Sequence, residues 1–297
     1  MSFSTEVKNE LCGISMNRAC CTRAEAYGAL LHASVFSHRE IRLSAENAVV
    51  VRRLQALLQR AFFVESEAEK CGRKQQIVID DASRIGRIFD ALGYDRKSHI
   101  TYHLNRNVME EDCCIAAFLR GAFLMAGTVA GPDKKSHLEL KSTHQSLVGE
   151  ETSLMLDLGL SPKQAKRANA LLLYFKDGAS VEDFLTRIGA PHAAMELMQA
   201  KVEKNLRNTI NRQVNCETAN LVKAADASAR QIAAIQSVLE GGGEDAFPES
   251  LRETVRLRLR YPTDSLTELA RRFDPPISKP GLSHRLKKIT EFAAKEN

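Results

Sequence analysis

The first two hundred residues of the chain repeat one unit, and a two-fold repeat restricts the fold to two like halves meeting at a seam. Each copy opens on a helical segment rich in small residues, Ala26-Tyr27-Gly28-Ala29-Leu30-Leu31-His32-Ala33-Ser34 and Leu119-Arg120-Gly121-Ala122-Phe123-Leu124-Met125-Ala126-Gly127. An alternating stretch follows in each, Glu40-Ile41-Arg42-Leu43-Ser44 and Leu138-Glu139-Leu140-Lys141-Ser142, and period-two alternation predicts half-buried strands. Helical patterns come next, near Val50–Arg60 and Ser146–Leu158, then strand-like runs at Gln76–Asp80 and Leu172–Lys176. A last helix opens at Ala82-Ser83 or Ala179-Ser180 and closes at Gly93 or Gly189, the usual helix stop. Matching landmarks are offset by 93 (Gly28 to Gly121), 97 (Ser83 to Ser180) and 96 (Gly93 to Gly189). The first part of the chain is therefore expected to be α+β, as residues 1–205, with repeats at about 1–105 and 106–205.

From Pro191 the pattern turns all-helical, with helices expected over 193–212 and 215–238 and a break at Gly241-Gly242-Gly243. Residues 206–297 form the second expected domain. Leu251, Val255 and Leu259 lie at i, i+4, i+8, the core face of a helix over 251–260. Ser265-Leu266-Thr267-Glu268 is a capping box, and Ser278 caps a further helix with Pro280 in its first turn. Ile277, Leu282, Leu286 and Ile289 make a buried stripe, leaving Lys279, Ser283, His284, Arg285, Lys287 and Lys288 for the outer face. A helix, a short turn and a basic helix, here at about 265–289, is the arrangement that places a recognition helix in the major groove of double-stranded DNA. Its first half can reach base edges while later lysines and arginines neutralise phosphates. Arg207, Asn208, Asn211, Arg212 and Asn215 recur at helical spacing; they suit contacts to phosphates or bases, and equally a role in connecting this helix to its neighbouring domain.

Composition narrows the class. With 44% hydrophobic and 27% charged residues the chain is that of an ordinary folded protein, and no apolar run approaches a bilayer span. The N-terminus lacks a basic region followed by an apolar one, so a cytoplasmic protein is expected. A net charge of +5 permits nucleic-acid binding without demanding it. The seven cysteines include the adjacent pairs Cys20-Cys21 and Cys113-Cys114, with no Cys-x-x-Cys spacing. They read as small buried side chains in a reducing compartment, with no metal site and no cofactor expected.

Gly28, Ala29, Gly121 and Ala122 let two helices approach closely, and the segments carrying them resemble the paired signature helices of LAGLIDADG homing endonucleases. That resemblance implies a saddle-shaped, duplicated DNA-binding fold whose two motifs each supply a metal-binding acid. Ala33 and Ala126 stand at the acid positions here, and neither segment contains any carboxylate between Glu25 and Glu40 or between Asp112 and Asp133. Mg²⁺-assisted hydrolysis needs hard oxygen ligands, so no catalytic residue is expected. His32, beside Ala33, reads as a structural residue.

Three segments extend the resemblance to the WhiA family of bacterial transcription regulators: Phe118–Leu124, Asn211-Arg212-Gln213-Val214-Asn215-Cys216-Glu217-Thr218-Ala219-Asn220, and Asp274-Pro275-Pro276-Ile277-Ser278-Lys279. The family resemblance implies a degenerate LAGLIDADG domain joined to a helix-turn-helix domain, non-enzymatic DNA binding linked to sporulation, cell division or chromosome segregation, and a second regulator as partner. It implies neither a membrane nor a small-molecule substrate. The competing expectations are a protein-interaction scaffold and an endonuclease with unconventional ligands.

Overall fold

The computed structural model describes residues 1–95, 103–142, 144–168 and 170–296. The chain divides into two compact units, Met1–Lys204 and Asn205–Asn297.

Unit 1 opens with α1 (Phe3–Cys12), whose first turn is capped by the Ser2 hydroxyl accepting from the Thr5 amide. Two copies of an αββαββα unit follow. The first is α2 (Ala19–Leu31), β1 (Val35–Phe36), β2 (Ile41–Ala45), α3 (Ala48–Phe62), β3 (Ala68–Cys71), β4 (Lys74–Ile79) and α4 (Ala82–Leu92). The second is α5 (Asp112–Ala126), β5 (Gly127–Val129), β6 (Leu138–Ser142), α6 (Gln145–Asp157), β7 (Lys163–Arg167), β8 (Ala170–Phe175) and α7 (Gly178–Ile188). Each copy makes a four-stranded antiparallel sheet of the same order, β1-β2-β4-β3 and β5-β6-β8-β7. Equivalent caps close the copies: Asp81 and Asp177 accept the amides of Arg84 and Ser180, and Gly93 and Gly189 end the last helices at φ 73° and 100°.

The alternation read in β2 and β6 has its physical cause in this layering. Ile41 and Leu43, like Leu138 and Leu140, point into one core shared with Leu54, Phe89, Phe123 and Phe184. The helices that follow each strand pair cover the same sheet face, so their apolar stripes join that core.

In unit 2 the sequence expectation needs correction. The helices expected over 193–212 and 215–238 belong to one assigned helix, α8 (Pro191–Gly242), which begins in unit 1. Its C-terminal part adds Ile235 and Val238 to a core with Phe247, Val255, Leu269, Leu282, Leu286 and Ile289. The helical bundle of unit 2 thus has four contributors: the end of α8, α9 (Glu249–Arg260), α10 (Leu266–Arg271) and α11 (Lys279–Glu296). Ser228 ties α8 to the turn before α10, its hydroxyl donating to the Pro262 carbonyl at 2.6 Å. No helix among the described residues is long and apolar enough to cross a membrane.

Candidate functional site

The two signature helices cross at their glycines. A Cβ on Gly28 would lie 2.0 Å from the Phe118 carbonyl oxygen, and one on Gly121 would lie 1.9 Å from that of Glu25. Ala122 and Ala29 supply the neighbouring amides, 3.0 and 2.9 Å from those same Cβ positions. Backbone touches backbone here, which only glycine permits.

Directly at this crossing lies a buried ion-pair network that sequence reading missed. Glu25, 1% exposed, accepts from Arg53 at both oxygens (2.8 and 2.7 Å) and from Arg120 Nε at 2.9 Å. Arg53 also donates to the carbonyls of Cys12 and Ile14, and Arg120 to that of Ile188. One carboxylate on the first repeat therefore holds guanidinium groups from α3 and, across the seam, from α5.

Ala33 lies just past the end of α2 and Ala126 ends α5, both partly buried and with only a methyl side chain. The fold nevertheless brings an acid close to the first of them from the other repeat. Glu151, on α6, places Oε1 3.3 Å from Nε2 of His32, and both side chains are 1% exposed. His32 Nδ1 donates to the Gly28 carbonyl at 3.0 Å, which leaves Nε2 as the lone-pair nitrogen of the neutral ring. Nε2 and Oε1 are close, yet the approach is not aligned as a hydrogen bond. Burial pushes Glu151 up to about 8, with the charge of Glu150 adding to the effect. Burial likewise pushes His32 down to about 4, helped by His144 and opposed by the bond to Gly28. Burial thus favours the neutral form of both groups, and Glu151 is sequestered from solvent.

A pH signature follows. Unfolded Glu151 releases its proton near 4.5 while the folded chain keeps it to about 8, so stability falls as pH rises across that window. Unfolded His32 takes a proton near 6.5 while folded His32 resists to about 4, so stability also falls as pH drops through 6.5 toward 4. Glu151→Gln removes the first slope alone. It is expected to gain roughly 2 kcal/mol relative to the parent between pH 6 and pH 8, read by urea unfolding at both values. Parallel parent and variant curves would refute this account of the pair.

The N-terminal ends of the same two helices hold the cysteine pairs, and here the expectation of small buried side chains is corrected. Cys114 is buried, Cys21 and Cys113 are partly exposed, and Cys20 is exposed. Cys21 donates to Cys113 at 3.5 Å, Cys20 to Cys21 at 4.0 Å, and Arg18 Nη1 donates to Cys113 at 3.4 Å. Hydrogen bonds from Cys21 and Arg18 hold the Cys113 thiol below the usual range. Burial foremost pushes Cys21 up to about 12 and Cys114 to about 11. A cavity of about 440 Å³ opens beside Cys21 and Cys113 and is lined also by Arg18, Glu25, Arg120 and Arg187.

In unit 2, Ser265 and Glu268 form both halves of the capping box that starts α10. The helix ends at Arg271, and the chain turns through Asp274-Pro275-Pro276 into α11, whose first turn is held by Ser278 accepting the Gly281 amide. Leu282, Leu286 and Ile289 are buried, as are Leu251 and Val255 of α9, while Leu259 and Ile277 are half-buried. Ser278, just before α11, and Lys279, Ser283, His284, Lys287 and Lys288 on it are exposed. Arg285 differs: it is half-buried, its guanidinium 5.4 Å from the centre of the Phe273 ring. Lys287 lies 3.7 Å from Glu291, one helical turn on, a weak solvent-exposed pair. Arg207 and Arg212 are exposed on α8, within a stretch, 201–226, that is exposed on every side.

A duplicated αββαββα unit with a glycine-centred seam, followed by a helical unit whose short capped helix leads into a basic one, defines a LAGLIDADG-like domain joined to a helix-turn-helix domain. Comparison with known proteins agrees: the WhiA LAGLIDADG-like domain matches residues 115–207 and the WhiA C-terminal HTH domain matches residues 210–293. The chain is 36% identical to the probable cell division protein WhiA of Alkaliphilus metalliredigens, covering 100% of this chain and 98% of that one. It is 35% identical to the protein of the same name from Ruminiclostridium cellulolyticum, covering 99% and 97%. Full-length DUF199/WhiA from Thermatoga maritima shares the fold, with a TM-score of 0.61 at 24% identity over 99% of both chains. The chain belongs to the WhiA family.

Proposed function

We propose that this protein is a sequence-specific, non-enzymatic DNA-binding regulator acting on the nucleoid, with a role in cell division. The exposed basic face of α11 carries the reading: its apolar stripe is fixed on the core of unit 2, so Lys279, Ser283, His284, Lys287 and Lys288 project from a rigid helix. Residues at the start of α11, Ser278, Lys279, Ser283 and His284, take base edges. Lys287 and Lys288 take phosphates, and Arg285, steadied by Phe273, works at the edge of the same surface. Arg207 and Arg212 add phosphate contacts from α8. The relatives' name supports the link to division, and a second protein regulator is the proposed further partner.

The LAGLIDADG-like unit, in this reading, retains a nuclease frame without its chemistry. Alanine methyl groups cannot hold a divalent cation, and Glu151, which meets His32 beside Ala33, is buried and favours its protonated form. Lys287→Ala and Lys288→Ala are each expected to weaken operator binding uniformly and to lower the slope of log K against log salt by about one. The same purified chain should leave supercoiled plasmid intact with Mg²⁺ or Mn²⁺. An unchanged slope, or cleavage that disappears in Glu151→Gln, would overturn the proposal.

A further inference from the structure

We propose that the four thiols at the N-terminal ends of α2 and α5 form a tetrathiolate site for one divalent zinc ion, which clamps the two repeats together. The duplication itself builds the site. The offset of 93 that relates Gly28 to Gly121 also relates Cys20 to Cys113 and Cys21 to Cys114. The close packing of α2 on α5 therefore delivers two adjacent pairs to one place, each pair from a different repeat.

Three of the four sulfurs are already spaced for a mononuclear site, and Cys113, outside that mutual set, adjoins it through Cys21 and has to close on the other two. With zinc–sulfur bonds of about 2.3 Å, the edge of a regular S₄ tetrahedron is about 3.8 Å. The Cys21–Cys113 and Cys20–Cys21 separations, 3.5 and 4.0 Å, bracket that edge. The sulfurs of Cys20, Cys21 and Cys114 all lie within 4.8 Å of one another. A Cys21–Cys113 disulfide would need those two sulfurs to close from 3.5 Å to about 2.05 Å.

The chemistry of the surroundings agrees with the geometry. Four sulfur donors select zinc among the common divalent ions over magnesium or calcium, which take oxygen. Four thiolates on a divalent ion leave excess negative charge. Arg18, already donating to Cys113, supplies an outer hydrogen bond and a compensating cation. All four cysteines also lie in the first turns of α2 and α5, where the helix dipoles favour negative charge. The cavity beside Cys21 and Cys113, together with exposed Cys20, gives an ion a way in.

The test uses the full chain, kept reduced with a phosphine and stripped by a chelator, then titrated with Co²⁺. Expected is one Co²⁺ per chain with strong thiolate-to-cobalt charge transfer and the intense visible bands of a tetrahedral site, displaced by one Zn²⁺. Cys20→Ser and Cys113→Ser should each lose this spectrum or weaken binding by more than about tenfold, whereas Cys71→Ser and Cys216→Ser should leave it unchanged. Zinc should also raise the melting temperature of the stripped parent chain by several degrees, a readout that needs no variant to fold. The proposal falls if the cobalt spectrum is absent or weakly octahedral, if it survives in Cys20→Ser and Cys113→Ser, or if zinc leaves the melting temperature unmoved. A Cys21–Cys113 disulfide that forms in air and resists zinc would overturn it as well.

Discussion

Gly28→Ala is expected to remove most of the stability of unit 1, with a loss on the order of 5 kcal/mol, and Gly121→Ala to do the same. One methyl group is enough because its obstacle is backbone. The added carbon would stand 2.0 Å from the Phe118 oxygen, or 1.9 Å from the Glu25 oxygen, against an ordinary contact of 3.4 Å or more. A rotamer change cannot relieve either clash, so the helices would have to move apart by more than an ångström. Their flanks are set in one continuous core, with Tyr27, Leu30, Phe118 and Phe123 all at most 1% exposed, so separation opens voids along the whole seam. Domains commonly carry only about 5–15 kcal/mol in total. Gly149→Ala is the matched control: Gly149 is helical with nothing within 4 Å of a Cβ, and the change should stabilise by up to about 1 kcal/mol. Chemical unfolding of the three variants reads the difference. A Gly28→Ala chain within about 1 kcal/mol of the parent would show that the crossing is looser than described.

The same glycines explain how much of the fold could be read from sequence. Glycine at a helix crossing and at helix ends is dictated by local geometry, so Gly28, Gly121, Gly93 and Gly189 marked the duplication, and alternation at Ile41–Leu43 and Leu138–Leu140 marked the central strands. Strands β3 and β7 carried no such mark. Their residues, Ala68-Glu69-Lys70-Cys71 and Lys163-Gln164-Ala165-Lys166-Arg167, are mostly exposed at sheet edges, where no buried face imposes alternation. The division expected in α8 between 212 and 215 does not occur: Val202, Leu206, Ile210 and Val214 recur every four residues up to and through it, an apolar period that continues the helix although all four side chains are exposed. At the candidate sites the basic face of α11 was visible because it follows from a heptad-like stripe. The approach of Glu151 to His32 and the meeting of the cysteine pairs were not, since each joins residues about a hundred positions apart through tertiary packing alone.

Glu25→Gln should be the second severe lesion, costing about 3–5 kcal/mol, because it strips the shared counter-charge from two largely buried guanidinium groups. Arg53 is 5% exposed and Arg120 9%, and both donate to the one Glu25 carboxylate. The amide of glutamine can accept one of these bonds but offers no charge, and its NH₂ would face donors. Whether the loss is electrostatic or a matter of packing is separable. If uncompensated charge dominates, replacing all three residues with apolar ones of similar size, Glu25→Leu, Arg53→Met and Arg120→Met, should recover part of the loss, as buried ion pairs often yield to well-packed apolar groups. Recovery should stop short of the parent. Arg53 and Arg120 also satisfy the carbonyls of Cys12, Ile14 and Ile188, and each carbonyl left buried without a donor costs about 1–3 kcal/mol. The order parent, triple variant, Glu25→Gln, from most to least stable, is therefore the expected result of denaturant titration. A Glu25→Gln chain as stable as the parent would mean that the arginines are held by their carbonyl partners, and that the carboxylate across the seam is dispensable.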